Sequence, residues 1–412
     1  MILRGPGGPH LTYCTNIHAG ETWAEVRSNL ERHVVRVADA LGVRPFGVGL
    51  RLSGIAAREL AQPTELAALR DFLAKHDLYV FTINGFPYGA FHGQRVKEDV
   101  YLPDWLDDER LRYTDLLAEL LAALLPLGVE GSVSTVPGAF RERVHGPADA
   151  QRMAERMVDH AAFLHQLRQR TGRRVCLALE PEPCCHLETL GEAAAFFRDH
   201  LFTARSAERL AERTGLGLAA AAAALHRHLT LCLDACHAAV EFEDLEQALA
   251  ELASAGVRIG KVQLSSGLRI PRVDASTPAH LAPFADEVYL HQVVDACAGR
   301  LTRHVDLPAA LEAARSYAPG EAHEWRIHFH VPVFLERFGA EPGQLESTQP
   351  FLAELLERQA RAPIAPHLEV ETYTWDVLPE EHRKTDVATA VARELGWVLE
   401  RLAPPPGDDR QP

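Results

Sequence analysis

LCLDACHAAVEFED, residues 231–244, begins as a strand that needs no water and ends on an acid and a histidine. Leu231, Cys232 and Leu233 are followed at once by Asp234, and His237 comes three residues later. A charge at the end of a buried strand is costly unless it is paired or bound to a cation. Asp234 therefore reads either as the cap of the following helix or as one member of a site. Recurrence of the pattern along the chain would favour the site.

The pattern recurs. Short apolar runs stand at LTYCTNI (11–17), FGVGLRL (46–52), LYVFTIN (78–84), GSVSTVP (131–137), VCLALEP (175–181), LTLCLDA (229–235), IGKVQLS (259–265) and LEVETYT (368–374). Helical patterns lie between them, at 22–42, 64–77, 148–172 and 243–256 among others. Near-continuous apolar strands separated by amphipathic helices predict a parallel sheet covered by helices. Eight such strands predict an α/β fold closed as a (β/α)8 TIM barrel. An open doubly wound sheet is the alternative, but NIHAGETW after the first strand matches its glycine-rich turn poorly.

A single barrel domain is expected over 9–402. About 267–366, between the seventh and eighth strands, is too long for a plain connection and reads as an elaboration of the barrel mouth, a lid or subsite. It contains LTRHVDLPAAL (301–311) and EWRIHFHVPVF (324–334). The first eight residues and the tail 403–412 read as disordered. Ala-rich LGLAAAAAALHRHL (216–229) reads as a helix. LLAELLAALLPLGV (116–129) is too short to span a bilayer and carries Glu119 and Pro126, so it reads as a core helix.

With 42 Lys and Arg against 57 Asp and Glu, the formal charge is −15, which argues against a nucleic-acid partner. Seven cysteines show no C-x-x-C pair. Cys176, Cys232 and Cys236 sit in or beside apolar runs as small hydrophobes. Cys184 and Cys185 beside His186 lack the second pair a zinc site would need. The odd count and the lack of a signal peptide lead to an expectation of a reducing cytoplasm without membrane insertion.

Chemistry gathers at the carboxyl ends of the later strands. The fifth ends on Glu180, the sixth on Asp234 and His237, the seventh on Gln263 with Arg269 six residues on, and the eighth on Glu371. In such barrels this face carries the active site. Three converging carboxylates repel one another unless a cation binds or protons are taken up. Glu180, Asp234, Gln263 and Glu371 are oxygen donors suited to Mn2+ or Mg2+, with Co2+ or Zn2+ if a histidine joins. Taken singly, Asp234 reads as a cap, Glu180 as an ion-pair partner and Gln263 as a backbone contact. Four in phase with successive strands read as a metal site.

This order, Glu, Asp-x-x-His, Gln and Glu, resembles the xylose-isomerase-like barrels, which include sugar isomerases, ketose 3-epimerases, dehydratases and endonuclease IV. The resemblance implies that Glu180, Asp234, Gln263 and Glu371 hold a divalent metal. It also implies that His237 and Arg269 bind substrate oxygens and that Glu180 and Glu371 flank the reacting carbons. LTYCTNIHAGETW, EWRIHFHVPVF and HLEVETYTWDVLP are similar to the bacterial metabolite traffic protein EboE family. That family sits in an operon with a prenyltransferase-like membrane protein, a TatD-like hydrolase and a dehydroquinate-synthase-like protein. The association implies secondary-metabolite processing or export, with operon-encoded partners, and does not define a reaction.

Other polar residues have two readings each. Asn16 and His18 end the first strand and either contact substrate or bond within their loop. Asn84, Tyr88 and His92 mark a glycine-punctuated loop that is either a substrate lid or a packed turn. His328 and His330 alternate, so both face one side of a strand. In endonuclease-IV-like relatives a histidine of this connection binds an additional metal, which makes His330 a metal candidate and His328 a substrate contact. Thr302–His304 is either an anion site or a solvated surface.

Three functions compete. The first is a metal-dependent isomerase or epimerase of a sugar, cyclitol or polyol, with Glu180 or Glu371 as general base; a lyase begins with the same proton abstraction. The second is a metabolite-binding or handover protein without turnover. The third is an endonuclease-IV-like phosphodiesterase, disfavoured because GLRLSG offers no histidine.

Overall fold

All eight expected strands form and lie in one parallel sheet: β1 (His10–Tyr13), β2 (Phe46–Arg51), β3 (Leu78–Asn84), β4 (Glu130–Thr135), β5 (Arg174–Leu179), β6 (Leu229–Asp234), β7 (Ile259–Leu264) and, last in the chain, the strand His367–Val370. The computed structural model describes residues 1–3, 5, 7–90, 97–284, 289–338, 345–375, 378 and 385–403. From β2 to β7 each strand pairs with the next in sequence, and His367–Val370 pairs with both β7 and β1. Closure between β1 and β2 uses a parallel bridge from Cys14 to Gly49 and the Thr12 hydroxyl. That hydroxyl donates to Gly47 O at 2.7 Å and accepts from Gly49 N at 3.2 Å. The sheet is a barrel, and the open alternative falls.

Between β7 and the last barrel strand lie β8 (Leu268–Ile270), β9 (Val293–Cys297), β10 (Arg300–His304), β11 (His323–Ile327), β12 (Arg337–Phe338) and β13 (Leu345–Ser347), so His367–Val370 is β14. β8 to β13 form a six-stranded antiparallel sheet in the order β10-β9-β11-β8-β13-β12. It is tied to the barrel where Val331 N donates to Ser266 O and Thr348 N to Gly267 O. Beyond Ile327 the chain crosses the barrel mouth, where His328 N donates to Gln292 O at 2.9 Å. The elaboration thereby delivers His328 and His330 to the site.

Strand interiors are polar in layers. At the amino end His10 Nδ1 bonds Tyr79 Oη at 2.9 Å and His367 Nδ1 bonds Ser132 Oγ at 2.8 Å. Above them Lys261 and Glu369 pair, both fully buried. Only glycine fits at 49, because a Cβ there would lie 1.8 Å from Glu369 Oε1. Around the barrel, helices such as Pro147–Thr171 and Asp108–Leu124 bury their apolar faces. Ala-rich Leu218–His228 is a helix as expected. Among the described residues, no helix is long and apolar enough to cross a membrane.

Two expectations change. β1 stops at Tyr13, short of the expected 17, because Thr15–Ile17 make a 3-10 turn whose Thr15 hydroxyl accepts from Arg51 N at 2.9 Å. The first eight residues are ordered where described: Met1 is buried, Met1 N donates to Leu11 O at 2.6 Å, and Leu3 N donates to Pro9 O at 2.8 Å. The glycines mistaken for disorder make a turn, with Gly8 N bonded to Gly5 O at 3.1 Å. Of the tail expected to be disordered, residues 404–412 lie outside the described ones.

Candidate metal centre at the barrel mouth

Asp234 is a helix cap with one carboxylate oxygen left over. It caps the helix Ala235–Val240, with Oδ1 accepting from His237 N at 2.8 Å and from Ser265 Oγ at 2.8 Å. Its other oxygen, Oδ2, is buried without a hydrogen-bond partner. On β7, Gln263 is fully buried with neither Oε1 nor Nε2 partnered. Groups left so typically cost about 1–3 kcal/mol each. A cation among these oxygens would satisfy them, so the donor set fits a divalent metal.

Glu180 and Glu371 border a cleft whose lining does not include Asp234 or Gln263. Burial, then Glu371 and Asp234, push the Glu180 carboxyl well above its usual range. Burial, then Asp234 and Glu369, push Glu371 up to about 8. Glu371 Oε1 accepts from Asn16 Nδ2 at 2.6 Å and Asn84 Nδ2 at 3.0 Å, so both asparagines hold a site carboxylate. Glu180, Asp234 and His237 each offer a donor atom within 4.8 Å of the others.

Three imidazoles close the other side. His237, His328 and His330 also offer donor atoms within 4.8 Å of one another, as do Asp234, Cys236 and His330. Burial first, then the neighbouring imidazoles His237 and His330, hold the His328 proton affinity well below its usual value. Burial pushes His330 down to about 4. Both rings are therefore neutral near neutral pH, the form that binds metals.

Tyr101, Glu182 and Gln292 are among the cleft residues that sequence reasoning missed. Tyr101 Oη donates to Glu182 Oε1 at 2.6 Å, and Gln292 Nε2 donates to Tyr101 Oη at 2.9 Å. Glu182 was visible two residues after Glu180, on the same side of an extended chain. Tyr101 ends the short 3-10 turn Lys97–Tyr101 and Gln292 directly precedes Val293–Cys297, so neither has a periodicity to mark it.

Other expected contacts lie elsewhere. Arg269, on β8, binds Glu324 through Nε at 2.9 Å and Glu346 through Nη1 at 2.9 Å, and does not border the cleft. His18 bonds Tyr13 Oη at 3.0 Å and stacks on His33 at 4.2 Å. Tyr88 donates to Glu109 at 2.9 Å in a packed turn, while His92 lies outside the described residues. Arg303 of the basic 302–304 stretch is paired with Glu188 at 3.1 Å and with Glu241. The cleft volume is about 60 Å³, room for a few waters at roughly 10–15 Å³ each.

No protein-family model matches the chain, and no curated protein matches it. Solved structures similar to it include xylose isomerase domain proteins and endonuclease IV proteins. An IolI protein with a zinc atom has a TM-score of 0.41 at 12% identity, over 95% of this chain and 98% of that one. A xylose isomerase domain protein from Alicyclobacillus acidocaldarius has 0.42 at 14%, over 96% and 99%. Endonuclease IV from Thermus thermophilus has 0.34 at 19%, over 62% and 76%. Such distances leave the site to be read from this chain's own side chains.

Proposed function

We propose that the chain is a metal-dependent isomerase- or epimerase-like protein that moves a proton at a carbon next to a carbonyl of a small polyhydroxylated metabolite. The observation that carries this reading is the pair of cleft carboxyls with raised proton affinity, Glu180 and Glu371, beside the unpartnered oxygens of Asp234 and Gln263. Without an ion Glu371 holds its proton up to about 8, and a cation beside it would ionise it, the form in which a general base takes a proton. Its position is set by the Asn16 and Asn84 amides, which hold one carboxylate oxygen. Glu180, on the opposite run of strands, gives or takes the second proton.

Glu180, Asp234, Gln263 and Glu371 would hold the divalent ion, Mn2+ or Mg2+ by their oxygen chemistry. When bound, such an ion supplies Lewis acidity to oxygens of the substrate. Among the described residues, the carboxyl end of β2 brings no histidine or cysteine to the mouth. With the formal charge of −15 this disfavours a phosphodiesterase acting on DNA. The resemblance carried by LTYCTNIHAGETW, EWRIHFHVPVF and HLEVETYTWDVLP would give the chain a place in secondary-metabolite processing, with operon-encoded partners, in the cytoplasm.

The test does not require the product to be known. Metal-loaded protein is incubated in deuterated water with ketoses, inososes and hydroxypyruvate-like acids, and carbon-bound deuterium is followed by NMR. Incorporation should fall by about 10²–10⁴-fold in Glu371→Gln. Tight binding of a host metabolite without exchange or conversion would replace this reading with a handover protein.

A further inference from the structure

The end of the barrel opposite the cleft carries charge of the other sign from the chain as a whole. Its rim is built from the segments that enter β4 to β7. Arg174 opens β5 and lies across from Glu130 at the start of β4. Glu130 holds Arg174 at 2.8 Å and Arg258, just ahead of β7, at 2.7 Å, so two guanidiniums share one carboxylate. Arg258 also donates to Arg227 O at 3.2 Å, which brings in the segment entering β6. Arg227 stands in the last turn of the helix Leu218–His228, and Arg168 in the last turn of Pro147–Thr171.

Three of these arginines are left over. Among the described residues, no hydrogen bond or ion pair engages the guanidinium of Arg168, Arg173 or Arg227, and Arg173 Nη1 is buried without a partner. Burial first, then Arg168 and Arg174, hold the Arg227 guanidinium below its ordinary range. Burial, then Arg227 and Arg168, lower the proton affinity of the buried His165 beside them. No carboxylate offsets either group. Helix carboxyl ends attract cations, which accounts for Arg168 and Arg227 singly. It does not account for Arg173 and Arg174, which lie outside both helices, or for the mutual repulsion. In a chain of formal charge −15, such a surface draws an anion.

Leu127 stands on the same rim. Its side chain is 87% exposed, and it lies three residues ahead of Glu130, within about 11 Å along the chain. Arg70 lies nearby, donating to Ala123 O at 2.9 Å. A bare leucine alone is ordinary on a protein surface. A bare leucine among unpaired arginines suits the interface of an anionic bilayer, with the apolar tip beneath the headgroups and the guanidiniums at the phosphates. A free phosphate or a nucleic acid would use the arginines and leave Leu127 without a role.

We propose that the amino end of the barrel, through Arg168, Arg173, Arg174, Arg227 and Leu127, docks peripherally on an anionic phospholipid surface. The cleft lies at the carboxyl ends of the strands, so in this pose its mouth faces away from the membrane. Each arginine near such a surface contributes about fivefold to partitioning, and salt screens the contact. The docking face shares no residue with the cleft and holds whatever reaction the cleft performs.

The full chain is sedimented with vesicles of phosphatidylcholine alone and with vesicles of which about a third is phosphatidylglycerol, at low and at physiological salt. Binding to the anionic vesicles only, weakening as salt rises, is the expected result. The double variant Arg168→Gln with Arg227→Gln should weaken it by about 20–30-fold. Leu127→Ser, at an exposed position, should weaken it by about tenfold. Equal binding of wild type to both vesicles, or binding to neither, overturns the proposal and needs no variant to fold. Anionic-vesicle binding that both variants leave intact overturns it as well, because another face then holds the lipid. Calorimetric binding of inorganic pyrophosphate or single-stranded DNA without vesicle binding would assign the arginines to a soluble anion and overturn it too.

Discussion

Lys261 Nζ lies 2.6 Å from Glu369 Oε2, with both side chains sealed from solvent inside the barrel. Each stands two residues before an expected metal ligand, Gln263 and Glu371, so the pair lies one pleat below the site on the same face. Ser134 Oγ takes another Lys261 hydrogen at 3.3 Å. Lys261 lowers the proton affinity of both Glu180 and Glu371, while its partner Glu369 raises that of Glu371 by more.

Removing one partner would strand the other charge in the interior. Lys261→Met should cost about 3–5 kcal/mol in urea unfolding. The double variant Lys261→Met with Glu369→Leu should be markedly more stable than the single one. Additive losses would show that the two groups act independently.

One substitution tests whether Asp234 does more than cap its helix. Asn caps helices as well as Asp, so Asp234→Asn should stay within about 1 kcal/mol of wild type. It keeps an acceptor for His237 N and Ser265 Oγ but loses the charge. Outer-partner changes alone cost about 10–100-fold in metal affinity, and a ligand change should cost more. Titration calorimetry with Mn2+ checks this; unchanged affinity would leave Asp234 as a cap only.

The barrel was legible because strand period and apolar runs are local properties of the chain. Glu180, Asp234 and Glu371 were legible because each ends such a run, which in a parallel barrel places it at the mouth. Arg269 was not, since its fate depends on pairing β8 with β11 and β13, which brings Glu324 and Glu346 to it. Gln292 and Tyr101 reach the cleft through tertiary contacts between distant loops, which no local pattern encodes. The amino-terminal turn was misread for the converse reason. Its glycines look permissive in sequence, but Met1 finds a place in the core.

Away from the site, Glu394 predicts a pH dependence of stability. Its carboxylate is buried, accepts from Thr372 Oγ1 at 2.7 Å and Val333 N at 3.1 Å, and is pushed by burial from 4.5 to about 7. The folded state therefore binds the proton more tightly than the unfolded chain. Stability should fall as pH rises from 4.5 to about 7 and level off above that. Glu394→Gln removes this contribution, so its melting temperature should gain on wild type through that window. Parallel pH profiles for the two proteins would dismiss the assignment.

Metal binding at the carboxylates should release protons. Without a cation, Glu371, at about 8, is mostly protonated near neutral pH, whereas a ligand carboxylate must be ionised. Affinity should thus rise with pH below about 8 by at least about tenfold per unit, because Glu371 loses its proton there and Glu180, also raised, must be ionised as well. Glu371→Gln has no proton there to lose, so its residual binding should show a shallower slope. Calorimetry with Mn2+ in two buffers of different ionisation heat measures the protons released. Mn2+ is the informative probe because the neutral imidazoles discriminate against it relative to zinc. Buffer-independent heats below about pH 8 would mean that Glu371 stays protonated when the ion binds and is not among its ligands.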